Sequence, residues 1–69
     1  MKKFKNIDQS FGEAGPFEAE SREQLADEMM PTFELWAKEA EVRGETGDAD
    51  ALIKEMRENF INALEEVVP

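Results

Sequence analysis

A chain of 69 residues with a formal charge of −9, no cysteine and no histidine has room for one small domain. It has no means of forming a disulfide or a cysteine–histidine zinc site, and it lacks the usual general base near neutral pH. Its 17 acidic side chains outnumber 8 basic ones, of which three are Lys2, Lys3 and Lys5, leaving five bases against all 17 acids over residues 6–69. Such a surface repels nucleic acid and anionic membranes and draws in basic partners.

Lys2 and Lys3 resemble the charged start of a signal peptide, but the polar run 6–10 stands where an apolar stretch is needed. No segment approaches the roughly 20 apolar residues that span a bilayer. The expectation is a soluble, cytoplasmic protein, and the absence of cysteine suits a reducing compartment.

In chain order, Phe4 and Ile7 sit among polar residues (a weak strand signal), Gly12, Gly15 and Pro16 mark a turn region, and Phe17-Glu18-Ala19-Glu20 alternates apolar and acidic. The pattern predicts a hairpin within residues 1–20, with 2–8 paired to 16–20. A two-stranded hairpin is marginal alone, so it must lie on the helices or extend through a second copy.

Ser21-Arg22-Glu23-Gln24 has the form of a capping box. The stripe Leu25, Met29, Phe33, Trp36, Ala40 then predicts a helix over 21–43 with one apolar face. Glu34 with Lys38 and Glu39 with Arg43 are i,i+4 pairs in the favoured order, and Gly44 suits a left-handed cap. Pro31 either kinks this helix or splits it. The stripe keeps its phase across Pro31, which favours a kink.

Asp48 is a good N-cap for a second helix, expected over 48–67. Its stripe is Ala49, Leu52, Ile53, Met56, Phe60, Ala63, Leu64 and Val67. The short 44–47 connection makes the two helices antiparallel neighbours. The predicted architecture is therefore a single α+β domain over residues 1–69: an N-terminal β-hairpin, then two antiparallel helices, the first kinked at Pro31. The alternative is an all-α helical hairpin with an irregular N-terminal arm.

Nothing in the chain points to catalysis, and no cofactor or metal is expected. Asp48-Ala-Asp50 starts like a calcium loop but has Leu52 at its fifth position and Asn59 at its twelfth. Ser10, Ser21, Thr32 and Thr46 have no histidine to activate them. The segment Gly12-Glu-Ala-Gly15 places an acid where a phosphate would be repelled.

Two surface features remain as candidate partner-binding sites. Leu35 and Val42, one heptad apart, lie off the main stripe, as do Ile61 and Val68, and Met30 is also off-face. Glu23, Asp27, Glu34 and Glu41 share a narrow arc of the first helix, and Glu55, Glu58, Glu65 and Glu66 lie on the second. Glu65 and Glu66 stand out, because a helix C-terminus disfavours anions. The main functional expectation is a non-enzymatic, small acidic protein-interaction module, self-associating or binding another protein, with Leu35, Val42, Ile61 and Val68 as anchors. The alternative is a nucleic-acid mimic that blocks a basic, nucleic-acid-binding protein through Glu34, Glu41, Glu58, Glu65 and Glu66. That would be in the manner of small phage-borne inhibitors of restriction or CRISPR systems. Neither binds nucleic acid directly or enters a membrane.

Overall fold

The computed structural model describes residues 1–8 and 15–68. The chain runs β1 (Lys2–Asn6), β2 (Phe17–Ala19), α1 (Arg22–Val42), α2 (Ala49–Asn62) and β3 (Leu64–Glu66). The strands form one antiparallel sheet in the order β2-β1-β3, which excludes the all-α alternative.

β1 is the middle strand. Lys2 stands opposite Ala19 and Phe4 opposite Phe17 on one side, while Phe4 faces Glu66 and Asn6 faces Leu64 on the other. Side chains alternate along a strand, so Phe4, Asn6, Phe17, Ala19 and Leu64 share the face turned to the helices. Lys3, Lys5, Glu18 and Glu65 share the outer face. The hairpin thus follows the expected pairing, and its loop through Gly12, with Ser10, lies outside the described residues. β1 ends where the buried Asn6 side chain accepts the Asp8 backbone N–H at 2.7 Å through Oδ1, a local turn that competes with the ladder.

The second helix departs from the expected 48–67. It stops at Asn62, and Leu64–Glu66 forms β3 against β1. Ile7 N–H donates to the Ala63 carbonyl at 2.9 Å and Val67 N–H to the Lys3 carbonyl at 2.7 Å, so the ladder brackets the strand. The charges explain the change. In a helix Glu65 and Glu66 would crowd its negative end; in β3 they lie 3.9 Å from Lys5 and 3.8 Å from Lys2. Leu64 stays buried in this arrangement.

The caps act as their residue types dictate. Ser21 Oγ accepts the Gln24 N–H at 3.1 Å, and Gln24 Oε1 accepts the N–H of Glu20, one residue before the cap, at 2.8 Å. At the other end Glu45 N–H donates to the Ala40 carbonyl and Gly44 N–H to the Glu41 carbonyl, a Schellman arrangement with Gly44 at φ +74°. Asp48 Oδ1 accepts the Ala51 N–H at 3.1 Å to open α2. Pro31 lies inside one unbroken helix on its exposed side, so α1 is not split. The Asp27 carbonyl that loses a donor one turn back is on that same side, within reach of water.

The core lies between the sheet and the start of the helical hairpin. Phe4, Ala19, Leu25, Ala26, Phe33, Phe60 and Leu64 are buried together, with Met29, Trp36, Ile53 and Met56 packed around them. Phe33 meets Phe60 edge-on at a centroid distance of 5.6 Å and Trp36 at 6.2 Å. Such aromatic contacts add to the area they bury. Five residues of β1 span about 17 Å, against about 31 Å for α1. The sheet is therefore too short to roof the whole hairpin, and the molecule is elongated, 44 × 19 × 15 Å.

Candidate protein-interaction surface

Leu35 and Val42 lie about 160–180° around α1 from Phe33 at 3.6 residues per turn, on the side opposite the core. They are 56% and 80% exposed. Together with Lys38, Glu39 and Arg43 they line a shallow groove whose exposed lining is mostly apolar. Neither belongs to the core, so packing within the chain gives no reason for two branched aliphatic residues there.

The other two anchors behave differently. Ile61 is half-buried and packs against the core. Val68 is 77% exposed but follows β3 rather than continuing a helix. The two do not form a pair flanking a helical stripe, because the helix that would align them has already ended at Asn62.

The acids are divided by the fold. Glu65 and Glu66 stand on the sheet beside lysines. Asp27 is held by Arg57 of α2 at 2.9 Å. Glu34, Glu41 and Glu58 are exposed on the helices. Glu34 and Glu41 lie about 80–100° around α1 from Phe33, and Glu58 about 160° around α2 from Phe60. On the sheet's outer face Lys3 lies 3.9 Å from Glu18, beside the Lys5–Glu65 pair, and Lys2 with Glu66, in phase with Phe4, makes a third exposed cross-strand pair. Such pairs contribute at most about 1 kcal/mol each. The expected bridge from Glu39 to Arg43 is not formed among the described residues, and Arg43 meets Glu45 at 3.6 Å instead.

A second concavity was not apparent from the sequence. A cleft of about 650 Å³ opens between the end of β1 and the half of the helical hairpin that the sheet leaves bare. Trp36 and Ala40 of α1 and Leu52 and Met56 of α2 supply its apolar lining. Asp8, Glu39, Glu45, Glu55, Arg43 and Asn59 supply polar groups. Glu39 and Arg43 also line the groove on the outer face, so the two surfaces meet around α1.

Among the described residues no three carboxylates converge to hold a metal ion, and no helix is long and apolar enough to cross a membrane. Comparison with protein-family models, with curated proteins and with solved structures gives no match, so function must be argued from the chain's own surface.

Proposed function

We propose that this chain is a non-catalytic protein-interaction module, acting in the cytoplasm, whose contact surface is the outer face of α1. The observation that carries the proposal is the exposure of Leu35 and Val42 on a face that contributes nothing to the core. Covering such apolar side chains removes them from water, which favours association, while charges around them govern approach and orientation. Lys38, Glu39 and Arg43 surround the pair with both signs of charge. The occupant is another protein or a second copy of the chain.

The test compares Leu35→Asp with Val42→Asp against Glu34→Lys with Glu41→Lys and Glu58→Lys. Light scattering reads the mass of the free protein, and capture from lysate at low and high salt reads binding. The proposal expects the aspartate variant to lose capture or self-association, with little dependence of the wild type on salt. Loss only in the lysine variant, with steep weakening by salt, would replace this proposal with nucleic-acid mimicry. That reading has in its favour that Glu34, Glu41 and Glu58 form no ion pair among the described residues.

A further inference from the structure

We infer that the cleft between β1 and the bare half of the helical hairpin binds a basic peptide segment carrying a bulky apolar anchor. The inference rests on the proposal that the chain is an interaction module, and it names a second contact site and the chemistry of what fills it.

Size, lining and charge point the same way. The volume of about 650 Å³ falls in the range of ligand-binding clefts, roughly 300–1,000 Å³. Trp36, Leu52 and Met56 offer an aromatic face, a branched aliphatic surface and an unbranched thioether that adapts to the shape of its neighbour. The surrounding charge is unbalanced. Among the described residues Arg43 is the one base lining the cleft and it already meets Glu45, which leaves Glu39 and Glu55 in excess over the cations of the described lining. An acidic peptide is repelled here. A neutral apolar ligand fills the lining without using the carboxylates. A basic segment with one large apolar side chain uses both, with the anchor on Trp36 and Met56 and its lysines or arginines toward Glu39 and Glu55.

Trp36 is the only tryptophan in the chain, so its fluorescence reports on the cleft. The probe is a short tryptophan-free amphipathic peptide of leucine and lysine, titrated at physiological salt. Its counterpart of leucine and glutamate is the control. A saturable change in Trp36 emission is expected with the lysine peptide alone. Replacing Glu39→Lys together with Glu55→Lys should weaken binding at least about tenfold, since these charges face the ligand. Glu23→Lys with Glu34→Lys makes the same change in net charge away from the cleft and should weaken it less than about threefold. All four positions are exposed, and circular dichroism confirms that each variant is folded.

The inference is overturned if the lysine peptide gives no saturable change, if the glutamate peptide binds equally well, or if the two double variants weaken binding alike. The last result would make the attraction a property of the whole acidic surface. Leu35→Asp lies outside the cleft and should leave this titration unchanged, so failure here is separable from failure of the outer-face proposal.

Discussion

The guanidinium of Arg22 lies 5.2 Å from the centre of the Phe4 ring while its Nε donates to the Leu64 carbonyl at 3.0 Å. One side chain in the first turn of α1 thus touches the middle strand and ties down an edge strand 42 residues further along the chain. Replacing Arg22→Met keeps an apolar stem but removes the donor and the charge over the ring. A loss of about 1–2 kcal/mol is expected from a broken charged hydrogen bond and cation–π contact. Urea unfolding measures it, and an unchanged midpoint would show that Arg22 does not hold β3.

Phe33 is fully buried and packs edge-on against Phe60. Phe33→Ala should cost about 3–5 kcal/mol. A core of this size rarely supplies more than roughly 3–5 kcal/mol, so the variant is expected to be unfolded at 25 °C by near-ultraviolet circular dichroism. Phe33→Leu should remain folded with a lower melting temperature. A cooperative melt in Phe33→Ala close to that of the wild type would contradict the assigned core.

Lys5 faces Glu65 directly across β1 and β3. Lys5→Glu sets like charges opposite one another and should destabilise by up to about 1 kcal/mol. Adding Glu65→Lys restores the pair in reverse and should recover most of that loss. The coupling expected from the double-mutant cycle is about 0.2–1 kcal/mol and should fade in 1 M salt, where the screening length is about 3 Å. A cycle with no coupling at low salt would mean the pair contributes nothing.

Pro31 gives a prediction of opposite sign. It is exposed and interior to α1, so Pro31→Ala should restore a backbone bond to the Asp27 carbonyl without disturbing the core. Proline is about 3 kcal/mol less favourable than alanine inside a helix, and a gain of about 1–3 kcal/mol is expected as a rise in melting temperature. A fall would show that the packing of α1 depends on the proline ring.

The helices were legible because their apolar residues repeat at helical spacing and their ends carry Ser21, Asp48 and Gly44, whose side chains or backbone freedom suit caps. β2 was legible from the alternation of Phe17 to Glu20, whereas β1 was placed by the turn region between the two segments, since Phe4 and Ile7 are out of step for one strand face. β3 was hidden by a coincidence of phase: Phe60, Ala63 and Leu64 sit at i, i+3 and i+4, so a helix and a turn into strand both bury Leu64. The misplaced acids Glu65 and Glu66 were the signal of the correct answer, and their partners were Lys5 and Lys2 of β1. Leu35 and Val42 could be singled out because they are apolar and out of phase with the core. Ile61 has the same sequence signature yet packs inward, since phase alone does not say how wide a face its neighbours cover. Trp36, Leu52 and Met56 read as core residues, and only the shortness of the sheet turns them into the lining of a cleft.

Phe4 of the middle strand pairs with Glu66 of a strand synthesised well after it, with both helices in between. At about 5–20 residues per second of synthesis, β1 waits roughly 3–12 s for β3 after it has been translated. Over that interval Phe4 has only half its final cover on the strand side, and Lys2 and Lys5 have no counter-charge from β3. Until β3 is made, β1 therefore keeps one raw sheet edge, and the sheet depends on Leu64–Glu66 to cover it.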